Sequence, residues 1–290
     1  MITAVICKKG GVGKTTTAVN LAAAIAGIGK RVLLVDLDSQ ASASLSLGVR
    51  REYLAPSLAD VLLQARPVRD TIRSTNSLGL DLITGSTDLQ TFDQAMGWET
   101  NKETRLDAAL APIVHRYDLI IIDCAPNLSL LSVNALVAAD NFLVPSIPHY
   151  LSIAGVEPLL AAARRLDQRF GTHPELLGVV LTQVDYRTKA ARENIAKIRQ
   201  RWGDDVLAVE IRTNVRLAEA PEHGQTIFEY DRRSTGARAY RLLAAEVLMR
   251  ARQRTQTEES SKAHKQRGHL EPAEQAFVTG HFPEPEGPPS

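Results

Sequence analysis

The stretch Lys9-Gly10-Gly11-Val12-Gly13-Lys14-Thr15-Thr16 lies between an apolar, β-branched run (2–7) and an alanine-rich run (15–26). Its reading decides the fold. A bound phosphate needs backbone N–H donors that no side chain obstructs, the positive end of a helix, and a cation within reach. Gly10, Gly11 and Gly13 allow a tight turn around Val12, and a helix opening near Thr15 supplies oriented amides. Lys14 is placed to reach the β- and γ-phosphates of a nucleotide, the Thr15 hydroxyl to ligate Mg²⁺, and Thr16 to add a further phosphate contact. The pattern is that of a P-loop, G-x-x-x-x-G-K-[ST], with one departure. Lys8 occupies the first glycine position and a second lysine, Lys9, stands inside the loop. A strand before the loop and a helix after it make a chance Gly/Lys turn a poor explanation.

Working outward, short β-branched runs alternate with longer helical patterns, which predicts βαβ units and a parallel sheet. Strands are expected at 2–7, 31–36, 80–84, 119–123, 141–145, 177–182 and 206–211. Several are apolar throughout, as strands covered on both faces must be. Helices are expected at 15–26, 104–115, 129–138, 153–170, 189–202 and 236–252. Within 189–202, Ala191, Ile195, Ile198 and Trp202 recur at helical spacing and should face a core. The expected class is an α/β P-loop NTPase: a mostly parallel, twisted sheet flanked by helices on both faces. One ATPase domain should span 1–252, followed by a polar, Pro-rich tail at 253–290 expected to be disordered. With 290 residues, 44% of them hydrophobic, the chain is long enough for one large core. Cys7 and Cys124 sit in strand-like runs, which argues for buried thiols in a reducing compartment rather than a disulfide scaffold. No signal-peptide pattern opens the chain, and no apolar run approaches the ~20 residues of a bilayer span.

Two acidic segments point at the same loop. Val35-Asp36-Leu37-Asp38 ends one predicted strand, and strand carboxyl ends in a parallel sheet converge on the ligand crevice. Leu119-Ile120-Ile121-Ile122-Asp123 ends another, with an acid after four apolar positions as in a Walker-B strand. Asp123 is therefore the expected Mg²⁺ carboxylate, acting through water because Mg²⁺ keeps much of its hydration.

The net charge of +1 excludes a global argument for nucleic acid, so any such argument is local. Between 187 and 201, Arg187, Lys189, Arg192, Lys197, Arg199 and Arg201 face a single acid, Glu193. Lys189, Arg192 and Arg199 share a helix face opposite the apolar stripe, suited to phosphates without base readout.

With its two-lysine loop, the segment Asp185-Tyr186-Arg187-Thr188 and the segment from Arg212 to Pro221, the sequence resembles the ParA/MinD family of deviant Walker-A ATPases over about residues 1–250. It is most similar to the small chromosome-partitioning (Soj-like) group. The resemblance implies ATP and Mg²⁺ as cofactors and an ATP-dependent homodimer in which Lys9 reaches the partner's nucleotide. By the same resemblance Asp38 orients the attacking water, Asp36 belongs to the Mg²⁺ environment, and Arg187 and Arg216 serve DNA binding. Non-specific double-stranded DNA and a ParB-like activator are the implied partners, with a cytoplasmic, nucleoid-associated location. No arginine finger is evident, so slow intrinsic ATP hydrolysis awaiting a partner is expected.

Two other readings compete with DNA partitioning. A positioning ATPase for non-DNA cargo would use the same parts. A MinD-like membrane regulator would need an amphipathic C-terminal helix, for which Leu270, Phe277, Val278 and Phe282 among prolines are poor material, so no membrane association is expected. The chain departs from the Soj-like pattern at Lys8, at Ala125-Pro126-Asn127, and at His149-Tyr150-Leu151. His149 is assigned no chemistry. Operator reading by an N-terminal helix-turn-helix is not expected.

Overall fold

The computed structural model describes residues 1–127, 129–149 and 155–267; of 255 and 257–267 it describes the backbone alone. In chain order the elements are β1 (Ile2–Val5), α1 (Lys14–Ala26), β2 (Val32–Leu37), α2 (Ser42–Ser46), α3 (Leu58–Gln64), β3 (Ile72–Ser74), β4 (Leu80–Ile83), α4 (Phe92–Ala95) and α5 (Arg105–Leu110). There follow β5 (Leu119–Cys124), α6 (Leu130–Ala138), β6 (Asn141–Ser146), α7 (Val156–Phe170), β7 (Glu175–Val184), α8 (Lys189–Trp202), β8 (Val206–Arg212), α9 (Val215–Glu219), α10 (Ile227–Tyr230) and α11 (Thr235–Arg267).

The sheet runs β3-β4-β2-β5-β1-β6-β7-β8, parallel except for the β3–β4 pair. Its central strands are buried at every position, so they need apolar residues on both faces rather than an alternating pattern. On one face Leu33, Val35, Ile120, Ile122 and Phe142 join a core with residues of α3, α5, α6 and α7. On the other, Val32, Leu34 and Ile121 are equally buried, and α1 lies against β2 and β5. Ile195 and Ile198 of α8 close a smaller core with Leu181, Val184 and Val206, as their spacing predicts.

Three expectations need correction. The strand β3 has no forerunner in the sequence reading, because three residues are too few to display a period; Arg73 within it ties down the loop through the carbonyls of Tyr53, Leu54 and Pro56. The helix expected at 104–115 stops at Leu110, and a 3-10 turn covers Val114–Arg116. Pro112 accounts for the break, since it lacks an N–H and its ring crowds the preceding turn. The last helix continues past residue 252 to Arg267. Polar composition does not oppose a helix here, for Gln253 to Arg267 is rich in Gln, Glu, Lys and Arg, all good helix formers. Residues 268–290 of the expected tail, with Leu270, Phe277, Val278 and Phe282, lie outside the described residues, as do Tyr150 and Leu151. Two compact units divide the chain, Met1–Glu246 and a second from Val247, of which the described part is the continuation of α11.

Phe142 is fully buried in mid-sheet β6. Phe142→Ala should cost about 3–5 kcal/mol through lost transfer energy and a residual cavity, read as a lower urea midpoint at unchanged slope.

Candidate active site

The glycine-rich loop leaves β1 at the carboxyl edge of the sheet and enters α1 at Lys14. Gly11 and Gly13 take φ values of +71° and +80°, a left-handed backbone that side-chain-bearing residues adopt only under strain. The loop is fixed from outside by the end of β7. The Thr182 hydroxyl donates to the Val12 carbonyl at 2.8 Å, and the Gln183 amide donates to the Gly11 carbonyl at 2.7 Å. With those carbonyls held back against the protein, the loop has the polarity a phosphate requires. Lys14 is 7% exposed and donates to the Lys9 carbonyl at 3.0 Å, folded over its own loop, whereas Lys8 and Lys9 are exposed. Behind the loop, Asn20 accepts from the Ile227 amide at 2.8 Å, and Thr17 meets the buried Tyr240 hydroxyl at 3.4 Å.

The carboxylates assemble beside it. Parallel register sets Asp36 of β2 directly opposite Asp123 of β5, both fully buried. Asp36 accepts from the Ser44 hydroxyl at 2.6 Å, the Ser44 amide at 2.8 Å and the Asp38 amide at 3.2 Å. Burial pushes its carboxyl up to about 6, even though the Ser44 and Asp38 hydrogen bonds pull the other way. Asp38, 7% exposed, accepts from the Gln40 amide at 2.9 Å. Gly85 makes this corner possible: a Cβ there would lie 2.5 Å from the Asp38 carbonyl and 3.0 Å from the Asp36 carboxylate.

Asp123 has no such support. Neither of its buried oxygens has a hydrogen-bond partner, and the Thr15 hydroxyl lowers its carboxyl without reaching hydrogen-bonding geometry. Burial, then the neighbouring Asp36, holds that carboxyl well above its ordinary value. An orphaned, desolvated carboxylate beside a threonine hydroxyl and a lysine is a donor set that fits a hard divalent cation. Among the described residues no group of three His, Cys, Asp or Glu side chains is arranged so that it could hold a metal ion by itself. Asp36 has both oxygens engaged inside the protein.

Cys7 and Cys124 are buried and free; burial pushes the Cys124 thiol well up, so it is packing material rather than a nucleophile. Several residues of the site had no motif to announce them. Thr182, Gln183, Ser44 and Gly85 are distant in sequence and meet the loop and the carboxylates only through the fold.

The structure sorts the basic residues predicted to contact DNA. Arg187 is 86% exposed on the loop after β7, paired with Asp185 at 2.6 Å. Lys189 is equally open, 3.7 Å from Glu193, and Lys197 is exposed. Arg216, on α9 after the adjacent β8, pairs with Glu219 at 2.9 Å. The Thr213 amide donates to the Val184 carbonyl and joins the two strand ends. Arg192 and Arg199 are engaged by the chain itself: Arg192, though exposed, donates to the Tyr186 carbonyl at 2.7 Å, and the partly buried Arg199 donates to Glu210 at 2.6 Å and to the Leu207 carbonyl. Arg199 thus braces α8 on β8, a role its spacing did not reveal.

A glycine loop between strand and helix, a buried acid at the end of the neighbouring strand and a second loop lysine define a P-loop nucleotide-binding protein of the two-lysine kind. Residues 1–176 match the family model described as an AAA domain. The sporulation initiation inhibitor protein Soj of Bacillus subtilis is 41% identical, over 85% of this chain and 97% of its own length. The chromosome partitioning protein ParA of Caulobacter vibrioides is 38% identical, over 87% and 96%. Among solved structures, a Mycobacterium smegmatis protein described as cobyrinic acid a,c-diamide synthase, with bound ADP and magnesium, has a TM-score of 0.74 at 32% identity, over 85% of this chain and 93% of that one. The chain belongs to the ParA/MinD family of P-loop ATPases.

Because Asp123 is uncompensated, Asp123→Asn should stabilise the metal-free protein by about 1–3 kcal/mol. The same substitution should abolish the upward shift that Mg-ATP gives in thermal unfolding, and a lower melting temperature without metal would contradict the assignment.

Proposed function

We propose that the chain is a DNA-partitioning ATPase whose ATP-bound dimer holds DNA non-specifically and is released when a ParB-like partner stimulates hydrolysis. The opposite placement of two lysines in one loop carries this reading. Lys14 is buried over the loop, where it serves its own nucleotide, and Lys9 is exposed, where it can serve a partner's. A cation lent in trans makes dimer stability depend on the charge of the terminal phosphate, so hydrolysis and disassembly become one event.

Gly10, Gly11, Val12, Gly13, Lys14, Thr15 and Thr16 bind the phosphates, while Thr15 and Asp123, with Asp36 behind them, hold Mg²⁺. When bound, Mg²⁺ neutralises charge on the β- and γ-phosphate oxygens. Asp38 orients the attacking water. Its carboxylate is fixed by the Gln40 amide and stands at the same strand edge as Lys14. The relatives named for chromosome partitioning and the exposed Arg187, Lys189, Lys197 and Arg216 support DNA as the track. No helix among the described residues is long and apolar enough to cross a membrane.

Light scattering with a non-hydrolysable ATP analogue tests the trans lysine. Wild type should dimerise, and Lys9→Ala should bind the analogue yet stay monomeric; an undiminished Lys9→Ala dimer would refute the role. For DNA, Arg187→Ala and Arg216→Ala should each leave the ATP dimer intact. The slope of log affinity against log salt should fall by about 1 for every arginine–phosphate pairing that a substitution removes.

A further inference from the structure

The helix α3, the segment Val68–Thr71, α5 and the turn Val114–Arg116 line an open cavity of about 780 Å³. The strand β5 separates it from the nucleotide site: Arg116 precedes the strand and Asp123 closes it, roughly 20 Å apart at the rise of an extended chain. Its floor is apolar, built on Leu62, Val68 and Ile113, all buried. Arg66, Arg69, Arg105, Arg116 and His115 line it, and no acidic residue does.

The charges around this cavity are poorly met by the protein. Arg69 has only an exposed pairing with Asp70 at 3.7 Å, and Arg105, which donates to the Leu62 carbonyl at 2.7 Å, is 3.7 Å from Glu99. Arg66 and Arg116 form no ion pair among the described residues. Four guanidiniums around one concavity repel each other, and an anion seated among them removes that cost while gaining charge-assisted hydrogen bonds. The volume falls in the range of small-molecule sites, which combine an apolar lining with a few fixed polar groups. A bare anion would leave the floor unused, and a neutral apolar molecule would leave the arginines unmet.

The geometry points to a second ligand site, distinct from the nucleotide loop, that binds a small amphipathic organic anion: a carboxylate, sulfonate or phosphate carried on an apolar body. The acid group sits among Arg66, Arg105 and Arg116, and the body lies on Leu62 and Ile113. It owes nothing to the partitioning reading and stands or falls without it.

Anilinonaphthalene sulfonate, an aromatic anion whose fluorescence rises in apolar surroundings, is a direct probe for the full chain in Mg-ADP. Saturable binding is expected, with decanoate displacing the probe and inorganic phosphate leaving it in place. Arg66→Glu with Arg116→Glu should weaken the probe at least about tenfold, as removal of two charge-assisted hydrogen bonds demands. Ala108→Trp, which fills the cavity from an exposed position without changing charge, should do the same. Thermal unfolding of both variants should match wild type, since the altered side chains are exposed. Unchanged affinity in the arginine variant, unchanged affinity in Ala108→Trp, or displacement by phosphate as effective as by decanoate would each overturn the proposal.

Discussion

Two carboxylates that share a register position govern the design of the site. Parallel pairing of β2 with β5 forces Asp36 and Asp123 side by side, beneath a glycine loop and out of water. Burial of one such group is costly, and burial of two as neighbours is more so. The fold resolves half of the problem internally. Ser44 and the Asp38 backbone solvate Asp36, and Gly85 yields the space for that arrangement. Asp123 has no hydrogen-bond partner for either oxygen, and only the nearby Thr15 hydroxyl and Lys14 offset its burial. The imbalance leaves one point of the sheet edge where added positive charge would be stabilising, as expected where function conflicts with local energetics.

The end of β7 joins the glycine loop to the basic segment. Thr182 and Gln183 hold the glycine loop by its carbonyls, Gln183 with a φ of +50°. Immediately beyond, Asp185 and Arg187 form the exposed pair at the start of the basic segment. Val184, between them, accepts from Thr213 and so anchors the loop leading to Arg216. The glycine loop is thereby tied to the short stretch of chain that positions the exposed arginines. The route consists of hydrogen bonds between adjacent strand ends, which is a physical connection rather than mere nearness in space.

How much of this could be read from residues alone follows from the range of the interactions. The glycine loop, Lys14, Thr15 and the acid ending the apolar run at Asp123 form contiguous patterns whose backbone requirements are local, so the P-loop fold and its parallel sheet were legible. The strands were found because both-face burial demands continuous apolar runs. The three-residue β3 carried too little pattern, and the break at Pro112 was masked by helical spacing on either side. Thr182, Gln183, Ser44 and Gly85 were invisible because their roles exist only once distant strand ends are brought together. Arg199 looked like surface charge since Glu210, its partner, sits on the next strand. Composition misjudged the end of α11 for a related reason: low apolar content argues against a core, not against a helix.

The sorted charges also bear on the proposal that DNA is held by two subunits together. Arg187, Lys189 and Arg216 each face an acid on their own surface, Asp185, Glu193 and Glu219. Arg187 holds the Asp185 carboxyl down at about 2, so the acid is charged throughout the physiological range and competes for the guanidinium. Such exposed pairs contribute little stability, and a phosphate can displace the acid, but the acid's own repulsion of DNA remains. On one chain, three of the four exposed cations named above thus already face an acid of their own. If, as proposed, ATP holds two chains together, the phosphate pairings double, and because log affinity scales with their number the paired faces would bind far more than twice as tightly. The second face also engages at the high local concentration set by the dimer rather than from bulk solution. Basic patches partly met by acids of their own surface thus suit the proposed binding state that nucleotide switches on, whereas wholly unpaired cations would hold DNA more strongly in either state.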